Sequence, residues 1–294
     1  MKKMKTGIVI IHYNDFESVK NLIDNIKDYK ILDYIIIYDN HSREDVIKKL
    51  KTLKSSKVEV IINSENKGYA YAINDASKHL IKRLGKCNII ISNSDIIIDK
   101  ENDIVDLIHL LNKRNVGLVA PTILEKNYLN RGWKNPTPLL DSMMNLVYIH
   151  RFFRKKYIFY NEDHYTNDTS FVDVASGCFF LIRSDTLEKI NYLDENTFLY
   201  YEENILAKKL ASINKKELLA NDIIIIHNHS VSIDKNVKKI KKLKLQKESQ
   251  YYFQKNYNNA NIFECFLLKA TAFISRVILT VVYFMKDVLK NIKG

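Results

Sequence analysis

Hydrophobic positions along the N-terminal third of the chain alternate between two spacings. Short runs of β-branched residues, typical of strands buried on both faces, are separated by stretches whose apolar residues recur at helical spacing. This alternation predicts parallel βαβ units and hence an α/β fold with a Rossmann-like, mainly parallel sheet flanked by helices. The predicted strands cover residues 6–12, 33–38, 58–62 and the run that begins at Ile89, and the predicted helices cover 16–29, 46–50 and 69–84.

The pattern is less regular further along. Residues 103–111 have helical spacing, 116–120 form a strand pattern closed by Pro121, and the strand signal returns at 171–182 and 223–226. We therefore expect one α/β domain with two halves and a compositionally different tail. The halves cover residues 1–125 and 126–232, and the tail covers 233–294.

The run at 89–99 is Ile-rich but is interrupted by Ser92, Asn93, Ser94 and Asp95. A carboxylate cannot be buried on a two-faced strand without a partner, so Asp95 should lie where the strand leaves the sheet. Ligands bind at the carboxyl ends of strands in open α/β sheets. The same residue types also form ordinary turns.

Each of the first four predicted strands ends in polar residues, and parallel strands would bring these ends to one edge of the sheet. Such a cleft suits a nucleotide, with one carboxylate for the base or ribose and another for a divalent cation. No G-x-G-x-x-G follows the first strand, which disfavours a dinucleotide oxidoreductase. The clusters are Tyr13-Asn14, Asp39-Asn40-His41-Ser42, Asn66-Lys67-Gly68 and Asn93-Ser94-Asp95.

Three later positions are further candidates. Ser176 and Gly177 are small residues where a backbone can approach a ligand closely. Glu202 and Glu203 open a helical stretch, either as favourable first-turn charges or as a general base beside a like charge. His227 follows the last predicted strand and is either a metal ligand or a surface residue.

Composition limits the classes of protein. The 294 residues are 46% apolar, enough for a substantial core, and the formal net charge of +12 favours anionic partners. Cys87, Cys178 and Cys265 are far apart, which predicts reduced cysteines in a cytoplasmic protein. The first apolar run, residues 8–11, is too short for a secretory signal.

Taken in order, these motifs resemble the family 2 glycosyltransferases of the GT-A fold, close to a branch of bacterial rhamnosyl- and polysaccharide glycosyltransferases. The resemblance covers about residues 8–232. Its motifs are the Tyr-Asn loop, Asp-Asn-x-Ser at 39–42, Asn-x-Gly-x-Ala-x-Ala-x-Asn at 66–74, Asn-x-Asp at 93–95, the small residues at 176–178, the acidic-aromatic segment at 194–203, and His-x4-Ser at 227–232.

The resemblance implies an inverting transfer from a nucleotide sugar. It places Asp39 at the nucleobase, puts Asp95, Asn93 and His227 around Mg²⁺ or Mn²⁺ on the diphosphate, and makes Glu203 the base, with Glu202 beside it. The resemblance further implies nucleotide-sugar contacts from Tyr13, Asn14, Asn66, Lys67 and Gly68, and an acceptor side with Trp133, Ser176 and Gly177.

Three positions depart from the family pattern. Glu203 stands where the family usually has Asp, Ile205 occupies a position that is often Asp, and the Gly-Gly that usually follows the late His is absent. The predicted donor is dTDP-rhamnose or a UDP-sugar, and the predicted acceptor is a lipid-linked glycan of bacterial capsule or O-antigen. The alternatives are a non-catalytic subunit that binds nucleotide sugar and a sugar-phosphate nucleotidyltransferase.

The tail is Lys-dense at 235–247 and mostly apolar at 262–285. At helical spacing Lys269, Arg276 and Thr280 share one side, which predicts an amphipathic helix lying on an anionic membrane surface. Packing on the protein or on a second copy in a homodimer is the alternative. The Lys run lacks an aromatic platform, so we do not expect nucleic acid as a partner. The protein is therefore expected on the cytoplasmic face of the cell membrane.

Overall fold

The computed structural model describes residues 4–146, 154–228 and 239–293. Four strands at one end of its sheet confirm the predicted parallel βαβ units. β1 (Lys5–His12), β2 (Tyr34–Asp39), β3 (Val58–Ile62) and β4 (Cys87–Asn93) are parallel and lie in the order β3-β2-β1-β4. Their carboxyl ends meet at one edge, as the sequence predicted.

The sheet continues from β4 through β9 (Phe179–Arg183), β6 (Val116–Glu125), β10 (Lys216–His227) and β5 (Ile96–Ile97). β9 is antiparallel to both β4 and β6, whereas β10 is parallel to β6. Short strands β7 (Tyr128–Asn130) and β8 (Thr169–Val172) pair with β6 and β10. The sheet is therefore mixed but mainly parallel.

Two strand predictions were wrong in detail. Residues 171–182 do not form one strand, because β8 and β9 pair with different neighbours and residues 173–178 connect them. Pro121 does not end β6. It pairs with Ala220 beside a register shift in β10, where a residue without an N–H group is tolerated.

Helices cover both faces of the sheet. Ile8, Ile10 and Ile35 are buried in the core cluster on one face, and Val9 and Ile36 in the cluster on the other. The helices are α1 (Phe16–Ile26), α2 (Glu44–Leu50), α3 (Tyr69–Leu84), α4 (Glu101–Leu111), α5 (Pro138–Met144), α6 (Ser184–Lys189), α7 (Glu202–Ser212), α8 (Lys239–Tyr257) and α9 (Ile262–Lys293).

The predicted tail forms α8 and α9, apart from residues that lie outside the described chain. Phe253 of α8 is fully buried and Leu268 of α9 is 2% exposed, so both helices pack on the domain, and α9 contacts α5. Among the described residues, Ile262–Val282 is long and apolar enough to cross a membrane, and 11% of it is buried.

Candidate active site

The end of β2 forms a closed hydrogen-bond network. Asp39 is fully buried, and its Oδ1 lies 2.8 Å from His12 Nδ1, while its Oδ2 accepts the Ser42 N–H at 3.0 Å. His12 Nε2 accepts the Asp15 N–H, so the ring proton is on Nδ1 and is donated to Asp39. Asn14, in a left-handed conformation, accepts the Arg43 N–H. The network fixes the loops after β1 and β2 relative to one another.

The loop before α3 is attached to this edge. Asn40 Nδ2 donates to Asn66 Oδ1 at 3.0 Å and to the Gly68 carbonyl at 3.2 Å. Gly68 has φ +99°, and a Cβ there would lie 2.5 Å from the Phe198 carbonyl oxygen, so only glycine fits. Lys67 is exposed and pairs with Glu65.

Tyr69 connects the two halves of the domain. Its hydroxyl lies 2.8 Å from Asn93 Oδ1 and 2.9 Å from the Gly177 carbonyl, and its N–H donates to Phe198. Asn74, one helical turn later, donates to the Leu193 carbonyl and accepts the Leu193 N–H. Helix α3 therefore sets the position of the acidic-aromatic segment relative to the Asn93 turn.

Asp95 lies in the turn after β4, where the sequence placed it. Its Oδ1 is 3.1 Å from His227 Nε2, and its carbonyl accepts the Asn228 N–H. Burial lowers the pKa of His227, but hydrogen bonds to Asp95, Cys178 and Glu125 outweigh burial and raise it to about 12. The structure thus joins two of the predicted metal ligands, Asp95 and His227, and places Asn93 two residues from Asp95.

Glu202 and Glu203 begin α7 but face different surroundings. Glu202 is 5% exposed, and its Oε1 has no hydrogen-bond partner among the described residues. Glu203 is partly exposed. Burial raises the pKa of both carboxyls, and for Glu202 the charge of Glu203 raises it further. A Cβ on Gly177 would lie 2.4 Å from Glu203 Oε1, so glycine is required for this approach.

The backbone before α7 is strained. Tyr200 and Tyr201 have φ of +76° and +69°, a region that costs a non-glycine residue on the order of 1–3 kcal/mol. The Tyr201 hydroxyl contacts both carboxylate oxygens of Asp141, at 3.0 and 2.9 Å, and Gln254 Nε2 donates to Asp141 at 2.6 Å. Asp141 on α5 and Gln254 on α8 therefore hold the residue that precedes the two glutamates.

A cavity of about 550 Å³ opens in front of Glu203. Trp133 lines it and is positioned by paired backbone hydrogen bonds with Val174, three residues before Gly177. The predicted base, Glu203, and the predicted acceptor-side residue Trp133 therefore line the same cavity. Ser176 is not among the lining residues, and its Oγ lies 3.2 Å from Cys178 Sγ.

Several residues of the site were not predicted from the sequence. Their side chains contact residues far away in the sequence or are deeply buried. Neither property can be read from the spacing of residues along the chain. One further acid, Glu217 on β10, is 3% exposed and accepts the Ala175 N–H. A polar residue inside an apolar strand pattern was the available signal for Glu217. The others are Asp141, Tyr201 and Lys247.

Known proteins similar to this chain were found by sequence. The family described as "Glycosyl transferase family 2" matches residues 7–190. "Low-salt glycan biosynthesis hexosyltransferase Agl10" of Haloferax volcanii is 24% identical over 197 residues, 67% of this chain. The chain spans 58% of the length of that relative.

Solved structures share the fold. GalNAc-T7 with UDP, GalNAc and Mn²⁺ has a TM-score of 0.61 and 15% identity, covering 78% of this chain and 44% of its own. The mannosyltransferase PcManGT from Pyrobaculum calidifontis, in complex with GDP-Man and Mn²⁺, has a TM-score of 0.56 and 11% identity, covering 96% of this chain and 80% of its own. These likenesses confirm the GT-A type of α/β fold.

Proposed function

Because the chain belongs to glycosyl transferase family 2, we propose that it transfers a sugar from a nucleotide-diphosphate donor to an acceptor hydroxyl, with Glu203 as general base. One observation carries the proposal. Glu203 lines a cavity of about 550 Å³ and contacts Gly177. The Tyr69 hydroxyl is hydrogen-bonded to the Gly177 carbonyl and to Asn93, which ends β4 two residues before Asp95. This chain of contacts supports a base and a diphosphate site on adjoining surfaces.

The proposed reaction is an inverting displacement. Glu203 takes the proton of the acceptor hydroxyl as its oxygen attacks the anomeric carbon, and the nucleoside diphosphate leaves from the opposite face. The raised pKa of Glu203 suits this role, since a carboxylate in apolar surroundings is a stronger base than one in water. Glu202, more deeply buried, acts by raising the proton affinity of the pair.

Asp95 with His227 and Asn93 would hold Mg²⁺ or Mn²⁺. The carboxylate and the amide oxygen suit such an ion, and His227 would bind it through Nε2 only after losing the proton that it shares with Asp95. No group of three or more His, Cys, Asp or Glu within the described residues could hold a metal by itself. Mg²⁺ is commonly bound by one or two carboxylates with substrate phosphates, so donor oxygens would complete the site. The bound ion would supply positive charge to neutralise the departing diphosphate.

The nucleotide half is residues 1–125, and Asp39, with the network around it, is proposed to position the base through the loops at Asn14 and Asn66. The proposed donor is dTDP-rhamnose or a UDP-sugar, as predicted from the sequence. The two solved structures of similar fold contain UDP and GDP-Man, respectively. The acceptor is proposed to be a lipid-linked glycan of a surface polysaccharide, reached from the cytoplasmic face of the membrane through α9.

A thermal-shift screen tests the donor site. UDP-, GDP- and dTDP-sugars are each added with and without Mn²⁺, and the correct donor should raise the Tm only with the metal, since a ligand at about 100 times its Kd stabilises the fold by about 2.7 kcal/mol. Asp95→Ala should lose this shift, and Asp106→Ala on an exposed face of α4 should keep it.

Assays of donor hydrolysis, sugar transfer and pyrophosphate release, run beside the screen, separate the alternatives. A donor that stabilises the protein but is neither hydrolysed nor transferred would identify a binding subunit. Release of pyrophosphate from a nucleoside triphosphate would identify a nucleotidyltransferase. Retention of the full metal-dependent shift by Asp95→Ala would refute the proposed diphosphate site.

A further inference from the structure

Helices α8 and α9 form one wall of the cavity in front of Glu203. Helix α8 is attached to the acidic-aromatic segment, because the hydroxyls of Tyr252 and Tyr257 both donate to Asp194, at 2.8 and 2.5 Å, and Ser249 Oγ donates to the Leu199 carbonyl. The wall is therefore fixed relative to the base.

The lining of this wall is mixed, because Leu243 and Leu279 line it together with polar side chains. Gln246, Lys247 and Gln250 of α8 line the same cavity as Trp133 and Glu203. Side-chain amides and an ammonium group bind hydroxyls, and an aromatic ring offers an apolar face to a sugar ring. A volume of about 550 Å³ lies within the range of small-molecule sites. The lining therefore suits a saccharide.

Lys247 links the three elements that build the wall. Its Nζ donates to Asn145 Oδ1 on the segment after α5, and Asn145 Nδ2 donates to Thr271 Oγ1 of α9 at 3.1 Å. Burial lowers the pKa of Lys247, while the charge of Asp141 raises it. Lys247 is thus a partly buried cation held at the cavity surface.

Helix α9 has two different faces. Ser275, 3% exposed, and Leu279 face the cavity, whereas Phe266 and Phe273 on the outer face are 65% and 68% exposed. A cavity lined by both polar and apolar side chains and an exposed apolar stripe are thus separated by the width of one helix. A ligand with a sugar head and an apolar chain matches both.

We propose that α8 and α9 bind the acceptor, with its hydroxyl-rich end in the cavity against Lys247 and Gln250 and its apolar chain along the outer face of α9. This inference rests on the proposed function and adds the place where the two ends of an amphipathic acceptor bind, on α8 and α9. It also assigns Lys247 as a residue that determines acceptor affinity.

Trp133 supplies a direct test, since it is the single tryptophan of the chain and lines the cavity. Octyl glucoside, galactoside and mannoside, each below its micelle concentration, are titrated while tryptophan fluorescence is recorded. At least one should give a saturable change, and the matching free sugar should bind more weakly. Lys247→Met should weaken the binding at least tenfold.

Lys244→Met is the matched control. Lys244 lies on the same helix, is 58% exposed beside Glu248, and is not part of the lining, so the variant loses the same charge and should bind as the wild type does. If Lys247→Met is unstable by circular dichroism, Gln246→Leu tests the same wall. Equal binding by the Lys247 and Lys244 variants, or no saturable change with any glycoside, would overturn the inference. The glycoside titration is carried out without donor, so it tests the acceptor site alone. Hydrolysis of the donor by the wild type is measured separately and tests the proposed function.

Discussion

Glu202 and Glu203 are adjacent in sequence and differ in accessibility. Glu202 is almost completely buried, whereas Glu203 reaches the cavity through a position left open by Gly177. This difference supports our proposal that Glu203 is the base and that Glu202 has a supporting role. The proposed reaction therefore requires glycine at position 177, because a side chain there would displace the Glu203 carboxylate.

Gly177→Ala tests that condition. The new Cβ would lie 2.4 Å from Glu203 Oε1 and must displace the carboxylate. Since a misplacement of about 1 Å costs about 100-fold in rate, kcat should fall by about that factor or more. Gly117→Ala, whose Cβ meets only the Leu210 and Lys215 side chains, is the control for crowding alone, and an equal loss of kcat in both variants would contradict the account.

Asp141 predicts a pH dependence of stability. Burial raises its pKa from 3.8 to about 6, and its side chain is fully buried. The folded state therefore holds the proton more tightly than the unfolded state, so the stability from this group is present below about pH 4 and is lost as the pH rises through about 6. The loss is on the order of 3 kcal/mol.

Urea denaturation of the wild type and of Asp141→Asn at about pH 4 and about pH 7 measures this difference. The wild type should lose more stability than the variant over that interval, because Asn does not titrate. Identical pH dependence in the two proteins would show that Asp141 does not carry the effect.

The sequence predicts the position of a site residue when the local pattern of apolar and polar residues determines it, and not when distant contacts determine it. The position of Asp95 at the end of β4 was predictable because a carboxylate cannot be buried on such a strand without a partner, and the structure supplies His227 as that partner. Tyr69 and Asp141 were missed. Their importance depends on contacts with Gly177 and Tyr201, which local pattern does not encode.

At the scale of elements, strands buried on both faces were predicted well because their Ile-rich runs have no helical alternative. The antiparallel position of β9 between β4 and β6 could not be predicted, since pairing partners are set by tertiary contacts. Helix α8 was predicted to be part of a basic tail, because its sequence contains many Lys residues and few apolar residues that would indicate packing on the domain. The structure shows that α8 is hydrogen-bonded to the acidic-aromatic segment at 194–203.

Phe253 of α8 tests this structural role. It is fully buried, and its ring lies 5.4 Å from that of Tyr201. Phe253→Ala should lower the free energy of unfolding by about 3–5 kcal/mol and reduce kcat, because Tyr201 loses its support. Phe273→Ala on α9, 68% exposed, should change stability by no more than about 0.5 kcal/mol. Chemical denaturation of both variants measures the contrast, and similar losses would refute it.

The whole molecule combines a net charge of +12 with an exposed aromatic stripe on α9. Positive charge attracts anionic lipid, and exposed Phe side chains gain about 1.5–3 kcal/mol each when buried. The alternative from the sequence, a second copy packed on the same stripe, predicts dimers instead. The two can be separated by experiment.

Co-sedimentation with phosphatidylglycerol vesicles makes that separation. The wild type should bind and should be partly released by salt, and the triple variant Phe263→Ser, Phe266→Ser, Phe273→Ser should bind at least about 100-fold more weakly. Phe171→Ser, at an exposed position on β8, is the control. The interface between copies would be favoured if the wild type does not bind vesicles and is dimeric while the triple variant is monomeric.

Turnover by Glu203→Gln tests the central claim most directly. With the donor found in the screen and an octyl glycoside acceptor, kcat should fall by about 100- to 10,000-fold, the usual contribution of a general base. The metal-dependent donor shift in Tm should remain, because Glu203 does not belong to the diphosphate site. Transfer by Glu203→Gln at the wild-type rate would contradict the assignment of the base.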